Sequence, residues 1–178
     1  MEIKSVRIKR RTFLKAGLAA TAAGYALSCV RSGSGAWRFF TDAEAQTVEA
    51  VSAQLIPADR DLGAKEAFVV NYIDIQLTRQ FKKHQRAYRQ GLAGLDAACR
   101  AKYGRRFVEL PSQAQVEALN ALEESSPSFF QLILAHTRQG FYGDPRHGGN
   151  RNMVSWKMLG LPYPPIRGRQ NYDEPKAG

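Results

Sequence analysis

The sequence predicts an all-α fold, a small helical bundle of about five to six helices with an irregular Gly/Pro-rich C-terminal segment. Three observations carry this expectation. Beyond residue 36, apolar residues recur at spacings of three and four, the period of a helix with one buried face. No segment alternates apolar and polar residues as a half-buried strand does. Capping residues, prolines and glycines bracket the periodic runs where helices start and stop. With 178 residues, 44% apolar and 24% charged, the chain has the balance of one globular domain with a real core.

The first helix is announced by Thr41-Asp-Ala-Glu44, a capping box in which Thr41 accepts from the Glu44 amide and Glu44 reaches back. Val48, Val51 and Leu55 then share a face, and Pro57 ends the run in the loop "PADRDLGA". A second helix is expected over 65–80, with Ala67, Val70, Ile73 and Leu77 inward and Asn71, Asp74 and Gln76 off the stripe. A third, over 82–103, buries Tyr88, Leu92, Leu95 and Cys99 and stops at Gly104. Gly91 and Gly94 weaken it as an isolated helix and suit the close approach of another backbone. Pro111 and Ser112 open a fourth, with Gln115 completing a box and Val116, Leu119 and Leu122 inward. Ser126 and Pro127 cap and start a fifth, the most apolar, carrying Phe129, Phe130, Ile133, Leu134, Thr137 and Phe141. A short sixth spans Met153 to Leu159 and stops at Gly160, after which Pro162, Pro164 and Pro165 exclude regular structure.

Charge divides the chain. The formal charge is +10, and residues 1–36 hold seven basic residues against one acid, Glu2, a net +6. What remains is modest for a nucleic-acid or membrane-surface binder, so a basic binding module is the weaker reading of the domain. The basic start is followed by a mildly apolar run from Ala16 to Leu27, too short and too rich in Ala, Gly and Thr to span a bilayer as a good helix. That is the plan of an export signal. Arg10-Arg11, with Phe13 and Leu14 close behind, resembles the twin-arginine signal, which sends folded proteins across the bacterial inner membrane. The expected organisation is an export signal over 1–36, a helical domain over 37–165 and an extended or mobile tail over 166–178. Two processing sites are open: cleavage after Ala36, or lipidation at Cys29. Cleavage after Ala36 leaves Cys99 as the one cysteine, which excludes an internal disulfide and Cys-ligated clusters.

The densest chemistry lies in "GFYGDPRHGGNRNMVSWKMLG", residues 140–160. Its glycines lack P-loop spacing and follow a helix rather than a strand, which excludes a dinucleotide fingerprint. A free-standing enzyme would have to use Asp144, Arg146 and His147 in the 143–151 loop, and no nucleophile stands beside a base there. No metal-ligand spacing is present. A structural reading fits better: Asp144-Pro145 caps and turns the chain, Gly148-Gly149 reverses it, and Asn150 bonds the backbone. Trp156, Tyr142 and Tyr163 are aromatics of the kind that anchor protein interfaces.

Tyr142, Asp144, Pro145, Gly148, Gly149, Asn150, Trp156, Gly160 and Pro162 together resemble the C-terminal signature of the gluconate 2-dehydrogenase subunit 3 family. "LIPAD", from Leu55 to Asp59, and the twin-arginine start match as well, so the resemblance extends over essentially the whole chain. Ser155 stands where that signature often has Gly or Ala. The resemblance implies a non-catalytic small subunit with no catalytic, metal or cofactor-binding residues of its own. Its implied partner is a large FAD-dependent dehydrogenase of the glucose–methanol–choline type, with haem c possible in a third, cytochrome subunit. The twin-arginine translocase would export the folded flavoprotein on this chain's signal. The complex would then stand in the periplasm at the inner-membrane face. Residues 140–165 are the element expected to dock on the partner or to support docking.

Overall fold

By its contacts the chain falls into two units, residues 1–33 and 34–178. The computed structural model describes residues 37–161, all within the second. The signal residues Arg10, Arg11, Phe13 and Leu14, both processing sites, Pro162, Tyr163 and the tail lie outside the described residues.

The described residues form six α-helices and no strand: α1 (Asp42–Leu55), α2 (Val69–Leu77), α3 (Gln85–Tyr103), α4 (Ser112–Ser125), α5 (Pro127–Tyr142) and α6 (Val154–Met158). The all-α expectation holds. α5 is the centre, packed by all five other helices, while α1 packs on α2, α3, α4 and α5. The reason lies in its sequence: Phe129, Phe130, Ile133, Thr137 and Phe141 are buried and cover more than one face. Around it the core is Val48 and Val51 of α1, Val70, Ile73 and Leu77 of α2, Tyr88, Leu92, Leu95 and Cys99 of α3, and Leu119 and Leu122 of α4. Cys99 is held inert by burial, which pushes its thiol pKa up.

Local signals act as the sequence predicts in several places. The Thr41 amide donates to Glu44 Oε2 at 2.9 Å, and the Glu44 amide donates back to Thr41 Oγ1 at 3.3 Å. A cap of this kind stabilises a helix by about 1 kcal/mol. Gly104 ends α3 in the left-handed region at φ 70°, where a side chain would be strained.

Several expectations are corrected. The second helix starts at Val69 rather than at 65, because Phe68 adopts φ 57° and ψ 41° and breaks the helical path. Phe68 is held there by Trp37, 6.1 Å away ring to ring, and by the Arg151 guanidinium above it. It ends at Leu77, with the Thr78 hydroxyl donating back to the Ile75 carbonyl at 2.8 Å. Asp74 and Gln76, placed off the stripe, are buried. On α4 the inward face is Gln115, Ala118, Leu119 and Leu122, and Val116 is 39% exposed. Gln115 goes inward because its amide donates to the Phe107 carbonyl at 3.0 Å and its carbonyl accepts from Gln54 at 2.7 Å. The box it was to form with Ser112 is therefore absent, and Pro111 holds the N-cap position without a side-chain bond. Ser126 sits at the N-cap of α5 with no side-chain cap, its carbonyl taking the Phe129 and Phe130 amides instead. Finally, α3 is preceded by a 3-10 turn, Lys82–His84, in place of a helix beginning at 82.

Candidate functional site

The C-terminal run is built against α2 and the end of α5. The turn from α5 into the 143–150 loop works because two glycines meet. A Cβ on Gly149 would overlap the Gly140 carbonyl oxygen and lie 3.0 Å from Tyr72 Cβ. A Cβ on Gly140 would lie 2.9 Å from Tyr72 Cδ1. Contacts this short are essentially never tolerated, so glycine at both places lets loop and helix backbones touch. Gly148 is glycine for two reasons: its φ is 97°, and a Cβ there would lie 2.6 Å from Ile75 Cδ1. Its carbonyl accepts from Asn71 Nδ2 at 2.7 Å, which fixes the loop to α2.

Asn150 is the hinge pin of the segment. It is fully buried and adopts φ 44°, a left-handed conformation that asparagine tolerates better than most residues. Its Nδ2 donates to the Gly143 carbonyl at 2.9 Å, and its Oδ1 accepts the Ser155 amide at 3.0 Å. One side chain thus closes the loop behind it and caps the short helix ahead. The Arg151 amide then donates to the Ala67 carbonyl at 3.0 Å, tying the segment to the chain before α2. Trp156 Nε1 donates to the Tyr142 carbonyl at 3.0 Å, so α6 is latched onto the C-terminus of α5. Asn152 and Met153 also stand at φ 58°, and strain of this kind persists only where surrounding contacts over-determine the path.

At the rim, Asp144 accepts the Arg146 amide at 2.9 Å and pairs with the Arg146 guanidinium at 2.6 Å. The hydrogen bonds from Arg146 hold the Asp144 carboxyl below its usual range. Arg146 and His147 are exposed, Tyr142 is 45% exposed, and Leu159 and Leu161 are 54% and 50% exposed. Gly160 closes α6 at φ 64°.

The structure therefore brings Asp144, Pro145, Gly148, Gly149, Asn150 and Trp156 together, and their contacts run within the chain. What the segment offers outward is Tyr142, Arg146, His147, Leu159 and Leu161. Three α2 residues complete the loop's seat: Asn71, which the sequence placed only off the apolar stripe, and Tyr72 and Ile75, which it did not single out. Ser155 is fully buried, and its hydroxyl is the one buried side-chain polar atom without a partner among the described residues. An alanine fits that position without an unmade hydrogen bond.

Two further polar sites lie elsewhere in the core. The buried Asp74 carboxylate accepts three successive backbone amides, from Arg38 at 2.7 Å, Phe39 at 2.9 Å and Phe40 at 3.0 Å. It anchors the start of the domain on α2. An acid between Ile73 and Ile75 is the signal that could have flagged it. His136 stacks on Phe81, with 3.8 Å between ring centroids, and its Nδ1 is 2.9 Å from the Tyr88 hydroxyl. Burial, and secondarily the charge of His84, lowers its pKa to about 4. Among the described residues no three His, Cys, Asp or Glu side chains converge as metal ligands would.

The family model described as gluconate 2-dehydrogenase subunit 3 matches residues 42–162. The match begins at the first turn of α1 and ends at Pro162, so it covers the helical domain and its C-terminal run but not the arginine pair. Neither the curated proteins nor the solved structures give a match. The match runs from one end of the described bundle to the other and takes in the glycine-paired loop, and the chain belongs to the gluconate 2-dehydrogenase subunit 3 family.

Proposed function

We propose that this chain is the non-catalytic small subunit of a periplasmic FAD-dependent dehydrogenase of the glucose–methanol–choline type, and that it both exports and stabilises the flavoprotein. The family match over residues 42–162 carries this reading, because the family is described as a subunit of gluconate 2-dehydrogenase. Three features support it. Arg10-Arg11 with Phe13 and Leu14 supplies an address for folded cargo. A chain exported folded carries its partner only if it has a stable interface, and the 140–161 segment is a rigid, glycine-seated element with exposed apolar residues. Three ionisable side chains that could have been candidates for chemistry are held in structural contacts: Asp74 on backbone amides, His136 on Tyr88, and Asp144 on Arg146.

In this reading FAD resides in the large subunit and haem c, where present, in a third, cytochrome subunit. The complex stands at the periplasmic face of the inner membrane. The test is the double substitution Arg10→Lys with Arg11→Lys in the native host. Flavin-linked sugar or sugar-acid dehydrogenase activity should fall at least about tenfold in the periplasmic fraction and accumulate in the cytoplasm. Undiminished periplasmic activity would sink the escort role.

A further inference from the structure

We propose that the groove between α3, α4 and the start of α5 is a docking site for a helix of the large subunit, one whose packed face is apolar and whose one end carries carboxylates. The inference rests on the reading of this chain as a subunit and deepens it by placing one contact.

The groove encloses about 600 Å³ and is lined mainly by apolar atoms. Its floor on α3 is Ala87, Gly91, Gly94 and Ala98, spaced four, three and four, and Ala121 and Ser125 face it from α4. A row of that spacing is one face of a helix about three turns long. Small residues along it leave room for a second helix to pack backbone to backbone rather than on long side chains.

The glycines argue that the visitor comes from outside the described bundle. Gly91 is explained within the domain, since a Cβ there would collide with the Phe129 ring. Every other described glycine either has a positive φ or would place a Cβ against neighbouring atoms, with one exception. At Gly94 a Cβ meets nothing within 4 Å, and the φ is ordinary. Gly94 is exposed in the interior of a 19-residue helix, where alanine would be more stable and nothing in the domain forbids it. A partner backbone lying against α3 is a use for that missing methyl group.

Charge identifies the visitor's chemistry. The groove opens at His84, the last residue of the 3-10 turn whose first two residues are Lys82 and Lys83. Lys82, Lys83 and Arg86 are exposed and have no carboxylate in ion-pair range among the described residues. Residues 75–95 contain no Asp or Glu at all. At the other end, Lys102 already has a carboxylate, Glu117, at 3.7 Å. The unneutralised end is therefore the one that selects an acidic terminus, and the mainly apolar lining between selects an apolar face.

The test uses the full chain, tagged at its C-terminus and purified from the native host, with bound flavin per chain as the readout. Gly94→Trp fills the groove, and it should reduce bound flavin at least about tenfold while thermal stability stays at or above wild type. Gly94→Ala should raise the melting temperature of the chain and lower the flavin it retains, because the added methyl takes the space assigned to the partner backbone. Lys82→Glu with Lys83→Glu should weaken capture and make the residual capture less sensitive to salt. A photo-crosslinking residue placed at 94 should join a helical, acid-ended peptide of the flavoprotein. Full flavin capture by a folded Gly94→Trp chain would overturn the groove while leaving the subunit reading intact. A crosslink from 94 to lipid, to residues 1–36 or to a second copy would overturn it equally. No flavoprotein on the wild-type chain would overturn both readings together.

Discussion

His136 sets a pH limit on the domain through ordinary linkage. Its folded pKa is about 4 against 6.5 for a free imidazole, first because it is buried and second because His84 lies near. Between pH 6.5 and about 4 the unfolded chain binds a proton that the folded chain refuses, so stability falls as the pH falls through that window. The loss amounts to about 3 kcal/mol once the lower value is reached, and the slope disappears below it. His136→Gln keeps a hydrogen-bonding group for the Tyr88 hydroxyl and removes the titration. Urea unfolding from pH 7 to pH 4 should show a shallower decline for this variant than for wild type, and an unchanged decline would assign the acid sensitivity to other groups. Asp74 acts at the same scale: one buried carboxylate takes three amides of residues 38–40 and so ties that segment to α2. Neither partnership was legible in the sequence. An acid and a histidine on helices read as polar positions until the residues that satisfy them, 34 to 48 positions away, are brought alongside.

At the level of elements, backbone contact rather than side-chain chemistry explains the glycine-rich run. Gly140 and Gly149 meet with no room for a methyl group between them, and Tyr72 of α2 closes over both. Gly149→Ala must push the loop off α5 and should cost about 2–4 kcal/mol, the range of overpacked or displaced core elements. Chemical unfolding of the purified chain measures this, and a loss below about 0.5 kcal/mol would mean the loop is not seated as described. Elements whose signals are local were legible in order: the Thr41–Glu44 box, the Gly104 stop, the Pro127 start and the Gly160 stop. The misplaced ones share a cause. Phe68 turned left-handed and Gln115 turned inward because distant groups, Trp37 and Arg151 for one and Phe107 and Gln54 for the other, hold them there. Periodicity within one helix contains no record of such partners, and so Val116 read as core when it is surface.

At the scale of the molecule, the described residues form an α5-centred bundle whose buried polar side chains, the Ser155 hydroxyl apart, are partnered within it, and apolar residues face outward at two places that matter for docking. One is the latch end, where Tyr142, Leu159 and Leu161 are exposed. The other is the small-residue groove over α3. The family was legible from the spacing of Tyr142 through Pro162, and the matched span of 42–162 agrees with it. Which helices would pack on which was not, because helices of similar amphipathicity are interchangeable until tertiary contacts choose among them. In the proposed role a carrier subunit needs an address and a grip: residues 1–36 would supply the first and the bundle's outward faces the second. The most direct measurement is to purify the C-terminally tagged chain from the periplasm of its native host and record the visible spectrum and subunit composition. The account predicts a larger polypeptide with oxidised-flavin absorbance at close to one flavin per small subunit, bleached by the sugar or sugar-acid substrate. A colourless, stable, monomeric chain would contradict it.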